Sequence, residues 1–316
     1  MKIARSLVLV LSVITLAYAC NSDFSEQPKR NKIQQEDTTH NLQVTSGHIE
    51  RYHFSSNFVD ARNIDVWLPD NYDSNVEYAV LYMHDGQMLF DSTKTWNNQE
   101  WKVDEVAGKL VSENKISPVI IIGIWNNNNQ RFAEYFPQKA VNYIPKTQRD
   151  SLMKLGPVNL KADSYLKFLV RELKPFVDST YSTQPGPDHT YLMGSSMGGL
   201  ISIYAVSEYP DVFGGAGCLS THWVGTTESD TIIPKAIEQY LSANLPSPGK
   251  HKIYFDHGTA TLDSLYPPLQ DRIDQIMRDK GYTNKNWMSR EFEGADHSEK
   301  SWSSRLHIPL TFLLEK

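Results

Sequence analysis

The length, composition and charge of the chain exclude several classes of protein. It has 316 residues, of which 40% are hydrophobic and 22% are charged, as in an ordinary globular protein. The net charge of −6 comes from 37 acidic and 31 basic residues without a long run of either sign. The composition therefore excludes the basic footprint of a nucleic-acid-binding protein.

The N-terminus has the pattern of an export signal. Lys2 and Arg5 precede an apolar run over Leu7–Ala19, which is shorter than the about 20 residues of a membrane-spanning helix. We therefore expect residues 1–19 to be a cleaved signal peptide. Cleavage before Cys20 resembles bacterial lipoprotein processing, which would leave a lipid on Cys20. The expected location is the periplasm or the cell surface, with plain secretion as the alternative.

A polar segment separates this signal from the rest of the chain. Residues 20–46 contain few apolar side chains, so they are predicted to form a solvated tether that does not fold alone. Residues 47–316 are then one folded domain, long enough to bury a core without disulfides or metals. The only membrane contact expected is the possible lipid anchor at Cys20.

Apolar runs of strand length alternate with helical patterns throughout this domain. The strand candidates are His48–Phe54, Asn63–Leu68, Tyr78–Met83, Val119–Ile124, Thr190–Met193, Gly214–Leu219, Lys252–Phe255 and Trp287–Phe292. The helix candidates are Val103–Ser112, Tyr165–Ser179, Met197–Glu208, Pro234–Leu241, Pro268–Lys280 and Ser301–Leu314. Two early strands followed by repeated strand–helix units predict an α/β fold with a mostly parallel sheet and an antiparallel edge.

One segment interrupts this alternation. Residues 136–162 contain several proline and glycine residues and show no clear periodicity. A loop of this length is uncommon in a compact domain and often has a function. We interpret it as an insertion near the mouth of an active site and a candidate lid, with a surface excursion as the alternative.

The strongest chemical signal is the motif Gly194-Ser195-Ser196-Met197-Gly198. It lies between a short apolar strand and a helical pattern, which is the context of a nucleophile elbow. Only Ser196 is in register with the two glycines. Ser196 would then begin a helix, where the backbone dipole favours negative charge. We therefore predict that Ser196 is a nucleophile.

An elbow serine needs a base, and in this arrangement the acid and the histidine follow the serine along the chain. Half of the 10 histidines precede Ser196 and are excluded on this ground. Among the others, His297 lies in the loop directly after the last predicted strand. A loop at the carboxyl end of the sheet can reach the elbow. We therefore predict that His297 is the general base.

Two carboxylates remain candidates for the acid. Asp263 lies in the loop after Lys252–Phe255 and could turn toward His297. Asp256 could reach across from the end of the same strand. Asp263 is favoured because residues 257–265 are predicted as loop before a helix that starts at a proline pair. The residues alone leave both assignments open.

Ester chemistry at a serine also needs backbone donors for an oxyanion. The predicted donors are the amide of Met197, which follows the nucleophile, and the amide of Gln87, in the loop after the third strand. Gly86 precedes Gln87 and is predicted to let this backbone approach a substrate closely. Losing one such donor typically lowers the rate by about 10²–10³.

The sequence predicts no cofactor and no metal, because it has no metal-ligand motif and no glycine-rich phosphate loop. Five tryptophans could line a substrate site: Trp96, Trp101, Trp125, Trp223 and Trp302. Those at the ends of predicted strands, Trp125 and Trp223, are the preferred candidates. His222, beside Trp223, is also assigned to substrate binding.

Taken together, these motifs resemble the Putative esterase family of α/β-hydrolases, which includes siderophore esterases and the feruloyl and acetyl-xylan esterases of carbohydrate esterase family 1. The resemblance covers residues 48–316. It rests on the segments 82–87, 131–135 and 194–199, on Gly258-Thr259 with Asp263, and on His297. Arg131 and Glu134 are carried over as pocket residues or an internal ion pair. Some relatives have the acid at the position of Thr261.

The resemblance implies a serine carboxylic ester hydrolase that works through an acyl-enzyme. The implied substrates are small-molecule or oligosaccharide esters, acylated carbohydrates or siderophore-type esters. Two alternatives remain: acyl transfer to a sugar by the same triad, and a catalytically inactive surface protein that only binds. The sequence does not choose the acyl group, the alcohol or the oligomeric state, since fold alone does not establish function.

Overall fold

The computed structural model of the chain describes residues 33–36, 42–149, 159–225 and 231–316. Within these ranges the strands are β1 (Ile33–Glu36), β2 (His48–Phe54), β3 (Arg62–Leu68), β4 (Ala79–His84), β5 (Val119–Ile124), β6 (Thr190–Ser195), β7 (Gly215–Leu219), β8 (Lys252–Gly258) and β9 (Trp287–Phe292). The signal peptide predicted over residues 1–19, and Cys20, lie outside the described residues.

The α-helices surround these strands in chain order. They are α1 (Val103–Ser112), α2 (Arg131–Tyr135), α3 (Ala162–Phe168), α4 (Lys174–Thr180), α5 (Met197–Glu208), α6 (Ile232–Asn244), α7 (Pro267–Asp279), α8 (Glu299–Arg305) and α9 (His307–Leu314). A π-helical turn over Leu169–Leu173 joins α3 to α4. Across the described ranges, no helix is both long and apolar enough to cross a membrane.

The strands form one sheet in the order β1-β2-β3-β5-β4-β6-β7-β8-β9. The pairs β1–β2, β2–β3 and β3–β5 are antiparallel. The pairs of β4 with β5 and with β6 are parallel, and so are β6–β7, β7–β8 and β8–β9. The prediction of a mostly parallel sheet with an antiparallel edge is therefore confirmed. Because the parallel strands share one direction, the loops after β4, β6, β8 and β9 meet at the same edge of the sheet.

Both faces of the sheet are covered, which explains the uninterrupted apolar runs. Val80 and Ile120 pack into the hydrophobic cluster on one face, and Leu81 and Ile121 pack into the cluster on the other. Successive residues of a strand point to opposite faces. A strand buried on both sides is therefore apolar at nearly every position, as β5 is throughout and β4 is up to His84.

The tether predicted for residues 20–46 is wrong over two stretches. Residues Ile33–Glu36 form β1 and pair antiparallel with β2. Further on, Gln43 donates its backbone N–H to Asp91 and Thr45 donates to Asp104. The composition of side chains does not predict these contacts, because the backbone of a polar segment can still pair with a sheet edge or a carboxylate.

The insertion predicted over residues 136–162 packs partly into the core. Phe136, Ala140 and Ile144 are buried in the hydrophobic cluster that also contains α3 and α5. A 3₁₀ turn over Gln138–Tyr143 connects them. The first part of the insertion is therefore a packed element. Residues 150–158 lie outside the described ranges, so the lid remains a prediction.

Candidate active site

Ser196 occupies a sharp turn between β6 and α5. Its backbone has φ 57° and ψ −122°, in the left-handed half of the dihedral map that side chains other than glycine rarely adopt. Its N–H donates to the carbonyl of Leu219 at 3.0 Å, and its own carbonyl accepts from Gly199 at 3.0 Å. These bonds hold a strained residue in place, as is common at functional sites.

The glycine before the serine pair is required by close packing inside the elbow. A Cβ on Gly194 would lie 2.8 Å from the carbonyl carbon of Gly198. A Cβ on Gly198 would meet nothing closer than 3.4 Å. The space in the turn therefore restricts the first position of the motif more than the last.

An acid–base pair lies at the same edge of the sheet. His297 follows β9, and Asp263 lies in the 3₁₀ turn Thr261–Leu265 after β8. Nδ1 of His297 is 2.5 Å from Oδ1 of Asp263. The backbone N–H of His297 also donates to the hydroxyl of Thr261 at 2.9 Å. The structure thus brings together the two loops that carry the predicted base and acid.

The second oxygen of Asp263 is also fully engaged. It accepts from the backbone N–H of Gly258 at 2.7 Å and from the hydroxyl of Ser220 at 2.5 Å. Burial raises the pKa of this carboxyl, but the hydrogen bonds from His297, Ser220 and Gly258 lower it below the usual value. Asp263 is therefore an ionised acceptor held in a fixed orientation.

Asp256, the alternative acid, has other partners. It is fully buried and forms an ion pair with Arg305, with 2.9 Å between Oδ1 and Nη2. The hydroxyl of Tyr254 donates to its other oxygen at 2.9 Å. Burial raises the pKa of Asp256, and the nearby Arg305 opposes that effect. The side-chain bond to His297 is made by Asp263 and not by Asp256.

The predicted oxyanion donors begin two helical segments. Met197 is the first residue of α5, and Gln87 lies in the 3₁₀ turn Gly86–Met88. The first N–H groups of a helix have no carbonyl partner within it, so they are available to a ligand. Gln87, Ser196 and His297 line one cleft of about 730 Å³.

Gly86 packs closely against a neighbouring strand. A Cβ at this position would lie 2.5 Å from the carbonyl carbon of Gly123 on β5. The missing side chain therefore lets the turn pack against the neighbouring strand. Contact with β5 already requires a glycine here, and approach of this backbone to a substrate stays a prediction.

An ion pair fixes the residue before that turn. Asp85 has a left-handed backbone with φ 58°. Its carboxylate accepts two bonds of 2.7 Å from Arg131 and one of 2.7 Å from Asn126. Burial raises the pKa of Asp85, but Arg131 and Asn126 lower it below its usual value. The pair therefore clamps the backbone that presents Gln87 to the cleft.

The predicted internal pair of Arg131 and Glu134 is replaced by two separate ion pairs. Arg131 binds Asp85 and lines the cleft. Glu134 is fully buried and forms a 2.7 Å ion pair with Arg62 on β3. The two residues lie on the short helix α2 but engage different partners, so only Arg131 reaches the cleft.

The aromatic residues expected at the substrate site were wrongly chosen. Trp223 is buried in the core and donates its indole N–H to Gln270 at 2.8 Å. Trp125 donates to Asp65 at 2.8 Å, and Arg51 lies over its ring. Successive residues of a strand point to opposite faces of the sheet, so a position at the end of a strand did not reveal which way these rings point. The tryptophans that line the cleft are Trp96, Trp101 and Trp302.

His222, the third predicted substrate-binding residue, lies directly beside the elbow. Its backbone N–H donates to the carbonyl of Ser196 at 3.1 Å. Its ring shares a 2.9 Å hydrogen bond with the hydroxyl of Tyr266, whose ring contacts that of His297 edge to face. Contact with a substrate stays a prediction for this residue.

Ser220 was missed by the sequence reasoning. It follows β7, has φ 40°, and donates to Asp263 from within the core. The only available signal was its position, because residues that follow parallel strands meet at one edge of the sheet.

For metals, the described ranges contain no group of three or more His, Cys, Asp or Glu residues that could hold an ion.

Comparison with known proteins identifies the family. The family model described as Putative esterase matches residues 55–311, which is most of the chain. The chain belongs to this family. The resemblance predicted from the elbow and the histidine loop is therefore confirmed, and this esterase has the α/β-hydrolase fold.

Individual relatives are distant. YbbA of Bacillus subtilis, described as uncharacterized, is 22% identical over 81% of this chain and 93% of its own length. A ferulic acid esterase of Anaeromyces mucronatus, solved with ferulic acid, has a TM-score of 0.61 at 20% identity and covers 90% of this chain and 97% of its own. The enterobactin esterase of Shigella flexneri, solved in the presence of enterobactin, has a TM-score of 0.61 at 18% identity over 86% of this esterase and 60% of its own chain. At these identities the likeness shows the fold alone.

Proposed function

We propose that this esterase hydrolyses carboxylic esters through an acyl intermediate on Ser196. The observation that carries the proposal is the 2.5 Å contact of buried Asp263 with His297, which lines the same cleft as the strained Ser196. Such a constellation is recognised by geometry and roles. Family membership supports the reaction class.

Each half of the proposed reaction has two proton transfers. His297 takes the hydroxyl proton as the Ser196 oxygen attacks the ester carbonyl, and then returns it to the leaving alcohol. Water repeats the sequence on the acyl-enzyme. Asp263 holds the imidazole in the required tautomer and stabilises its charged form. The amides of Met197 and Gln87 stabilise the oxyanion, with no metal or cofactor involved.

The proposed substrates are acylated carbohydrates or siderophore-type esters. Support comes from the solved structures of similar fold, which are ferulic acid and enterobactin esterases. Transfer of the acyl group to a sugar would use the same three residues. An inactive binding protein would keep the fold without turnover.

A small activated ester separates these alternatives. We expect the protein to hydrolyse 4-nitrophenyl acetate and to be labelled on Ser196 by a fluorophosphonate, with the site located by peptide mass spectrometry. Absence of both turnover and labelling would favour the binding protein. Transfer products that exceed hydrolysis when a sugar is added would favour the transferase.

We further propose that the protein is exported and anchored through Cys20. The proposal rests on the short apolar run that ends at this cysteine and on the polar residues that follow it. The catalytic domain would then lie in the periplasm or on the cell surface, and a failure of lipidation would leave it secreted.

Cys20→Ser should move the protein from the membrane fraction to the soluble fraction with an unchanged kcat. Stable anchoring needs more than one acyl chain, and a bacterial lipoprotein carries several on its cysteine. The measurement is fractionation of cells that express the full chain, with Cys218→Ser as the matched control because Cys218 is buried in the core. Equal membrane fractions for wild type and Cys20→Ser would contradict the lipid anchor.

A further inference from the structure

Trp96 is the most exposed large apolar side chain in the described ranges. It is 84% exposed and lines the cleft that contains Ser196. A single exposed apolar residue is ordinary on a protein surface. An indole on the wall of a catalytic cleft is different, because a ligand can bury its large flat face. The contacts of its loop show whether Trp96 is held in a position to bind a ligand.

The loop that carries Trp96 is fastened to the segment after the base. Asn97 donates to Glu299 at 2.8 Å, and Gln99 accepts the backbone N–H of Lys300 at 3.2 Å. The ring of Trp101 packs on that of Trp302 with 5.5 Å between centroids. The loop is therefore braced against the start of α8, directly after His297. Bracing of this kind lowers the entropy lost when a ligand binds.

The cleft also offers polar groups that the described part of the protein does not use. The side-chain oxygens of Gln87 and Gln99 accept hydrogen bonds from backbone N–H groups. Among the described residues, the Nε2 groups of these two side chains have no acceptor. Glu299 accepts through Oε2, and no described residue donates to Oε1. This set mixes donors with an acceptor. Sugar hydroxyls, which both donate and accept, match such a set.

The charges in the cleft disfavour an anionic ligand. Arg131 is the cation of the cleft lining, and both of its bonds to Asp85 are 2.7 Å long. Its charge is therefore already neutralised. Glu299 adds a negative charge that Arg131 attracts only at a distance, without a salt bridge between the two. A multiply charged iron–catecholate complex would be repelled, whereas a neutral sugar would not.

We propose that Trp96, Gln87, Gln99 and Glu299 form a subsite for a neutral sugar, the alcohol half of the ester. The sugar stacks its C–H face on the indole and binds the free amide and carboxylate groups with its hydroxyls. This inference rests on the proposed function and selects carbohydrate esters over siderophore-type esters. It also assigns the leaving group, and not the acyl group, to the Trp96 side of the cleft.

The test compares esters that share an acetyl group. Acetylated xylo-oligosaccharide and 4-nitrophenyl acetate are assayed with wild type and Trp96→Ala. The ratio of their kcat/KM values should fall about tenfold in the variant, through KM, because stacking on the indole is lost. Trp96→Phe should lose less. Val76→Ala, which removes another exposed apolar side chain outside the cleft, should keep the wild-type ratio.

Other outcomes overturn this subsite. An unchanged ratio in Trp96→Ala would remove its basis, and so would an equal loss on methyl ferulate, which would place an aromatic acyl group on Trp96. A loss confined to a catecholate lactone would assign the cleft to siderophores. Wild-type turnover of 4-nitrophenyl acetate tests the proposed function separately. That function can therefore survive a failure of the subsite.

A different observation concerns how the acid is held. The hydroxyl oxygen of Ser220 accepts from the indole N–H of Trp302 and from Nη2 of Arg305, both at 2.9 Å. A hydroxyl has two acceptor sites and one hydrogen. With both acceptor sites filled, its hydrogen is committed to the 2.5 Å contact with Asp263. The direction of this bond is therefore fixed by its neighbours.

We infer that Ser220 is a positioning residue that sets the strength of Asp263 as partner of His297. It touches no reacting atom and acts through the carboxylate. Donation from Ser220 withdraws negative charge from Asp263, which limits how strongly Asp263 stabilises the charged imidazole. Arg305 strengthens this donation, because a hydroxyl that accepts from a cation is a better donor. The inference also rests on the proposed function.

Ser220→Ala should change the pH profile as well as the rate. Without the donated bond, Asp263 stabilises charged His297 more strongly, so the acidic limb of kcat/KM should move to higher pH. The catalytic constant should nevertheless fall about tenfold with little change in KM, because Asp263 loses one of the bonds that hold its orientation and so positions His297 less well. Ser220→Cys, with a weaker donor, should shift the limb in the same direction by less.

Thr221→Val is the matched control. Thr221 is adjacent and equally buried, and its hydroxyl has no hydrogen-bond partner in the described ranges. Its pH profile should superimpose on that of wild type. An unshifted acidic limb in both Ser220 variants, whatever their thermal midpoints, would make Ser220 merely structural and overturn the inference. Wild-type turnover again tests the proposed function on its own.

Discussion

Ser196→Ala should lower kcat for 4-nitrophenyl acetate by about 10⁶ while the thermal midpoint stays close to that of wild type. Removal of a catalytic serine alone causes a loss of this size, and the residual rate comes from binding and the oxyanion hole. The substitution removes one oxygen, and the backbone bonds of Ser196 to Leu219 and Gly199 remain.

Ser195→Ala is the matched control for this variant. Ser195 belongs to the same motif and lines the same cleft, but it ends β6 and does not occupy the turn. It should retain most of the activity. The nucleophile assignment fails if the losses are reversed, with Ser195→Ala inactive and Ser196→Ala near the wild-type rate.

Asp263→Asn should lower kcat by about 10⁴. An amide in place of the orienting carboxylate favours the wrong tautomer of the histidine and no longer stabilises its charged form. The 2.5 Å contact with Nδ1 of His297 makes this residue the one whose charge matters. The loss should lie in kcat, and KM should change little because Asp263 is fully buried.

Asp256→Asn should show the opposite balance of effects. Its carboxylate pairs with buried Arg305, and a buried ion pair that loses one charge destabilises a fold by about 3–5 kcal/mol. The thermal midpoint should therefore fall by several degrees, while kcat at a temperature below unfolding stays much closer to wild type. Both variants are measured at pH 8 with one small ester, alongside thermal unfolding. Severe loss of kcat in Asp256→Asn with near-normal Asp263→Asn would reverse the assignment of the acid.

The elements of the sheet were predictable because local burial patterns encode them. The predicted strands His48–Phe54, Val119–Ile124 and Trp287–Phe292 have the observed bounds, and the helices over 103–112 and 197–208 do as well. Val119–Ile124 is buried on both faces and apolar at each position, and the helix over 103–112 repeats its buried apolar residues every three or four. These signals lie within one segment, so a single sequence reveals them.

The backbone contacts and the directions of the side chains were harder to predict from the sequence. The polar residues of β1 gave no apolar signal, yet their backbone completes the edge of the sheet. Trp223 turned into the core, whereas Trp96 was left on the wall of the cleft. Each outcome depends on which neighbours arrive from distant parts of the chain, and a local pattern does not contain that information.

The sequence by itself determined the strands β2 to β9, the turn around Ser196 and the loop that carries His297, because spacing and chain order specify them. Only the tertiary structure shows that Asp263, and not Asp256, contacts His297. Arg305, on a helix beyond the base, pairs with Asp256, and Ser220 from another strand end donates to Asp263. Two carboxylates seven residues apart thus acquire different partners. Hydrogen bonds and ion pairs form between groups that folding brings together, so chain position alone could not assign them.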